Sequence, residues 1–232
     1  MVRALAFDVF GTVVDWRGSI VREGASRWLS RGVTADWGAL ADEWRRRYQP
    51  SMQQVRSGQR PWVTLDTLHR ESLDDLLPAF GLQRLGEAER SELTTVWHRL
   101  SPWPDAVEGL RRLRARFRLA TLSNGNRVLL EDLVQAGGLP FDLVLSAEDF
   151  RAYKPEPAVY RGAAERLGVA PEELMMVAAH PDDLQAAAAV GLGTAYVQRP
   201  LEWGPGGSAP PADPAFDVVA DDFVDLASRL GA

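Results

Sequence analysis

Ala4-Leu5-Ala6-Phe7-Asp8-Val9-Phe10-Gly11-Thr12-Val13-Val14 sets a single carboxylate at the end of a short apolar run, just ahead of a glycine-containing turn. Ala4–Phe7 reads as a strand, and Asp is rarely buried without partners, so Asp8 needs an explanation. Open α/β sheets bind their ligands at the carboxyl ends of strands, which makes Asp8 a candidate nucleophile. The competing explanation is an Asp that only caps the turn after a first strand.

Further along, Arg118–Leu122, Leu143–Ser146, Met175–Ala178, Thr194–Val197 and Val218–Ala220 read as short strands with helical stretches between them. This alternation predicts an α/β fold. The interval between the first two strands is too long for one crossover helix, and Leu40–Tyr48 and Ser72–Phe80 within it carry helical periodicity. A helical cap domain inserted over residues 16–99 is therefore expected, on a core formed by residues 1–15 and 100–232. Hinges are expected near Val14–Arg17 and at Ser101-Pro102-Trp103-Pro104, since proline disfavours helix in the residue before it. The stretch from Glu202 to Pro214, with several Pro and Gly residues, reads as a surface loop.

At 232 residues and 46% hydrophobic content the chain can bury a full core. Its net charge of −6 gives no global basic field to attract nucleic acid or an anionic membrane. No apolar run reaches the length of a membrane span, and no cleavable leader pattern is present. Cysteine is absent, which removes disulfides, thiolate metal sites and cysteine nucleophiles. The expectation is a soluble chain, compatible with a cytoplasmic location.

Three further polar stations follow later strands in the sequence. Ser123-Asn124-Gly125 offers a hydroxyl, an amide and backbone N–H groups suited to carboxylate or phosphate oxygens, or else a turn bonded to itself. Lys154 lies in a frame set by Pro155 and Pro157, and a fixed ammonium near Asp8 would favour the ionised carboxylate. His180-Pro181-Asp182-Asp183 opens an alanine-rich helix; Asp182 suits the helix N-terminus electrostatically, whereas Asp183 is a candidate functional group.

The order of these stations resembles the haloacid dehalogenase superfamily, and within it the type II branch, the L-2-haloacid dehalogenases. Phe7-Asp8-Val9-Phe10-Gly11-Thr12 matches the first motif, Ser123-Asn124-Gly125 the second, Lys154-Pro155 the third and Asp183 the last carboxylate of the fourth. The resemblance implies a Rossmann-like, mostly parallel sheet core with the helical cap. Relatives commonly dimerise, so a homodimer is expected, with no interface identified by the sequence.

Most of the superfamily are phosphatases, which carry a second Asp two residues after the nucleophile as general acid; here that position is Phe10. A halide leaves without a proton. The phosphatase pattern Gly-Asp-x-x-x-Asp overlays Ala178–Asp183, so Ala179 stands where a magnesium ligand would lie, and no metal or other cofactor is expected. The resemblance then implies displacement of halide from a small 2-haloacid by Asp8, followed by hydrolysis of the resulting ester to a 2-hydroxy acid. Lys154 would orient Asp8, Asp183 would position Lys154 and the hydrolytic water, and Thr12 would orient the nucleophile. Ser123, Asn124 and the backbone around Val9 and Phe10 would hold the substrate carboxylate. A cap arginine following a tryptophan would cradle halide; Trp44-Arg45 fits, with Arg46 or Arg47 as alternatives. Trp62 and Phe10 are expected to wall an apolar pocket.

The fourth motif of the type II dehalogenases carries Ser and Asn where this chain has Ala178 and His180. His180 could serve as a donor to halide or water, and the change leaves substrate range open, fluoroacetate included. A phosphatase-like hydrolase and a catalytically retired binding protein are the alternative readings.

Overall fold

The computed structural model describes every residue from Met1 to Ala232. After β1 (Ala4–Phe7) the chain passes through β2 (Val14–Asp15) into helices α1 (Trp16–Glu23), α2 (Trp37–Arg56), α3 (Leu65–Leu76) and α4 (Glu87–Thr94), then returns through β3 (Ser101–Pro102). It continues as α5 (Ala106–Arg114), β4 (Arg118–Ser123), α6 (Arg127–Gly137), β5 (Leu143–Ser146) and α7 (Pro157–Leu167). The last elements are β6 (Leu174–Ala178), α8 (Pro181–Ala188), β7 (Gly193–Val197), β8 (Val218–Ala220) and α9 (Phe223–Arg229).

Six strands form one parallel sheet in the order β5-β4-β1-β6-β7-β8. The winding direction reverses beside β1, so the crevice at the carboxyl ends of β4, β1 and β6 is where such a sheet binds ligands. Alternation along β1 sends Leu5 and Phe7 to one apolar cluster and Ala4 and Ala6 to another, one on each face. With both faces covered the strand has no polar position of its own, and its first carboxylate is Asp8.

The four helices α1–α4 all lie between β2 and β3, which pair antiparallel as Val14↔Pro102 and Asp15↔Ser101. Helix α2 starts on Asp36, whose side chain accepts from Ala39 N, and runs on through Pro50, well past the expected Leu40–Tyr48. Helix α3 covers Leu65–Leu76 rather than Ser72–Phe80: Thr64 caps its start, and Pro78 disfavours helix in the residue before it. The apolar cluster on the Leu5 and Phe7 face continues without a break into this insertion through Phe10, Trp44, Leu68 and Trp97.

Candidate active site

Asp8 follows the last residue of β1 and is 6% exposed. Its Oδ1 faces Lys154 Nζ at 3.0 Å. Its Oδ2 accepts from Thr12 Oγ1 at 2.8 Å and lies 3.2 Å from His180 Nδ1. Burial would raise the carboxyl pKa, but the Lys154 charge and the bonds from His180 and Lys154 outweigh it and hold Asp8 well below the usual carboxylate range. The group is a desolvated, ionised carboxylate, the form a nucleophile requires. The loop that carries it is pinned by Arg199, which donates to the Thr12 carbonyl at 2.9 Å.

Lys154 sits between two carboxylates, Asp8 and Asp183. Burial alone would favour its neutral form; the two carboxylates reverse this and push its pKa up. Its backbone N–H donates to Asn124 Oδ1 at 2.8 Å, which ties the loop after β4 to the lysine. Asp183, in the first turn of α8, also accepts from the Tyr160 hydroxyl at 2.6 Å. Asp182 beside it is exposed in the same turn. Tyr160 was not legible beforehand, because nothing in the α7 sequence separates a core tyrosine from one reaching Asp183.

His180 bridges Asp8 and Glu202, with Nε2 at 3.0 and 3.1 Å from the two Glu202 oxygens. Burial would lower its pKa, but the Glu202 charge and the bonds to both carboxylates leave it pushed up to about 10. Glu202 is itself 3% exposed and accepts from Trp16 Nε1 at 3.0 Å. The Glu202–Pro214 stretch is irregular, as expected, but its first residue is buried in this site rather than solvated. Loop composition carried no sign that one of its carboxylates would turn inward.

Arg45 projects from α2 with its side chain 10% exposed and Nη2 at 3.8 Å from Glu202 Oε1. Its guanidinium lies over the Tyr48 ring at 4.3 Å, and the buried Nη1 has no hydrogen-bond partner. Arg46 and Arg47 instead pair at the surface with Glu43 and Asp75. Ser123 Oγ is likewise buried and unpartnered. The backbone N–H groups of Val9 and Phe10 donate to no acceptor in the chain. The arrangement offers several free donors around a shielded carboxylate, a receptor for an anion beside a nucleophile.

Asp8, Arg45, Tyr48, Asn124, Lys154, His180 and Glu202 are among the residues that border a cavity of about 280 Å³. Most of the residues around it are polar or charged, and the side chains of two expected apolar lining residues lie elsewhere. The Trp62 ring lies tilted against Tyr153, 4.5 Å between centroids, and Phe10 packs edge-on against Trp97 and Tyr48 in the cluster behind the site. The Phe10 ring, which has no polar atom, gains more from that buried cluster than from a wet mouth.

The model of the haloacid dehalogenase-like hydrolases matches residues 2–191. The chain belongs to this family. A curated relative, (S)-2-haloacid dehalogenase 1 of Pseudomonas sp. (strain CBS-3), is 33% identical over 205 residues, covering 85% of each chain. The crystal structure of the L-2-haloacid dehalogenase PA0810 superposes with a TM-score of 0.95 at 47% identity, covering 100% of this chain and 99% of the other. That of the defluorinating L-2-haloacid dehalogenase Rha0230 gives 0.94 at 45%, covering 100% and 96%.

Within the haloacid dehalogenase-like hydrolases, a magnesium-dependent member needs hard oxygen donors beside its nucleophile. Here the residues do not fit such an ion: Ala179 offers a methyl group and a backbone N–H that donates to Thr12, and the Lys154 ammonium fills the space between Asp8 and Asp183.

Proposed function

We propose that this chain hydrolyses short 2-haloacids to 2-hydroxy acids through an ester on Asp8, without a metal. Residues 16–99 act as the cap, and residues 1–15 with 100–232 as the core. The observation that carries the reading is the ionised Asp8 carboxylate in contact with Lys154, with a buried aromatic ring, Phe10, two residues later. Phenylalanine cannot protonate an alkoxide leaving group, whereas halide leaves as a weakly basic anion.

Asp8 displaces halide from the carbon next to the substrate carboxylate. Ser123, Asn124 and the N–H groups of Val9 and Phe10 hold that carboxylate, and Arg45 takes the halide. Lys154 and Thr12 fix the Asp8 oxygens, while Asp183 holds Lys154 and positions the water that hydrolyses the ester. The free N–H of Arg45 and the unpartnered hydroxyl of Ser123 support these assignments, as does the similarity to named L-2-haloacid dehalogenases. Similarity to a defluorinating enzyme extends the proposed substrates to fluoroacetate.

Halide release from 2-chloropropionate, 2-bromopropionate and fluoroacetate in excess chelator tests the reading. Wild type should release halide and Asp8→Asn none. Silence toward every haloacid, or activity that returns only with magnesium, would sink it.

A further inference from the structure

The two oxygens of Asp8 keep different company. Oδ1 meets one donor, Lys154 Nζ, whereas Oδ2 meets two, the Thr12 hydroxyl and His180 Nδ1. The Thr12 oxygen accepts from Ala179 N–H at 3.0 Å, so its own hydrogen is left for Asp8. The imidazole is held from its far side by both oxygens of Glu202. Glu202 in turn stands over Gly11, where a Cβ would lie 2.1 Å from Oε1, so the missing side chain makes its room.

We infer that Thr12 and His180 form an oxyanion hole for Asp8 Oδ2 during ester hydrolysis, with Glu202 as the positioning residue that aims His180. This rests on the ester mechanism proposed above. Oδ1 keeps an unoccupied lone pair, so it forms the bond to the halogen-bearing carbon while halide leaves with the carbon–halogen pair. Oδ2 then becomes the ester carbonyl oxygen, already faced by two donors. Water bonds to Cγ, the carbonyl π pair moves onto Oδ2, and the water's proton passes to Asp183. Collapse restores the carbonyl and breaks Cγ–Oδ1. The departing oxygen takes a proton from Lys154, which regains one from Asp183, and the new Asp8 carboxylic acid ionises to solvent.

A charged donor serves a developing oxyanion better than a neutral one. Asp8 and Glu202 both favour the imidazolium. Lys154 lies beyond Asp8, Asp183 is on the helix that His180 precedes, and Arg45 reaches Glu202 from the insertion. Once Asp8 is alkylated its charge is gone, and Glu202 is the anion still touching the ring.

Rapid-quench halide release and intact-protein mass with 2-chloropropionate test this. Glu202→Gln and His180→Ala should keep a burst of about one halide per enzyme, accumulate the ester adduct, and turn over about 10²–10³-fold more slowly. His180→Asn, which restores an N–H donor, should recover part of the rate. In Glu202→Gln turnover should fall as pH rises through the ordinary histidine range, about 6–7, while wild type holds its rate to higher pH. If that variant fails to fold, His180→Asn decides, its turnover expected to stay flat where wild type begins to fall. Equal loss of burst and turnover, no adduct, or an unchanged alkaline limb in these variants would overturn the inference. A wild type that forms no ester would instead overturn the proposed mechanism.

Discussion

Lys154 Nζ lies 3.0 Å from Asp8 Oδ1, with both side chains less than a tenth exposed. One ammonium there compensates two buried carboxylates, since Asp183 shares it.

Lys154→Met should therefore abolish turnover and destabilise the fold by about 3–5 kcal/mol, the usual cost of stranding a buried charge. Asp8 is held low in the native state, so its ionised form is lost only as pH falls through that depressed value. Without Lys154 the loss begins at higher pH. Urea unfolding and single-turnover halide release against pH measure the two effects.

Arg45→Ala should raise the barrier by roughly 2.7–4 kcal/mol, as for other charge stabilisers. Arg47→Ala, which loses only an exposed ion pair, should stay close to wild type, and Arg46→Ala, at the rim of the cavity, should cost far less than Arg45→Ala. Steady-state kcat/KM for 2-chloropropionate separates the three, and equal effects would remove Arg45 from the site.

Phe10→Asp restores the phosphatase residue but should not create a phosphatase. The ring fills a dry cluster with Tyr48, His69 and Trp97, and His69 beside it is held neutral by burial, its pKa pushed down to about 3. Losing a buried Phe costs about 3–5 kcal/mol before the unpaired charge is counted. Thermal unfolding together with p-nitrophenyl phosphate hydrolysis checks both halves.

His98 joins insertion to core, with Nδ1 2.7 Å from Asp132 of α6 and Nε2 3.1 Å from Asp66 of α3. Burial lowers its pKa, but the two carboxylates win and raise it. A raised pKa gives stability that is complete below the ordinary histidine value and is lost as pH rises through the native one. His98→Gln should cost about 1 kcal/mol near pH 6, solvent screening included, and less near pH 9. Urea midpoints at the two pH values test the sign.

The strands were legible because each is a short apolar run closed by small or polar residues; β1, β5 and β8 fall on their expected residues. The convergence of Asp8, Lys154 and Asp183 was legible through motif order, since a parallel sheet brings the loops at its strands' carboxyl ends together along one edge. Glu202 and Tyr160 were not: each reaches the site by a turn or rotamer that leaves no periodic trace. Trp62 was misplaced because ring size alone does not say whether an aromatic faces a cavity or a neighbouring ring.

The apolar cluster that runs unbroken from β1 into the helical insertion bears on how molecules reach Asp8. Swinging the insertion away as a rigid lid would wet Phe10, Trp44 and Trp97, at about 1.5–3 kcal/mol for each ring. Arg46, Gln49 and Trp203 border the cavity at its solvent-exposed rim, so passage between these side chains would leave that cluster dry.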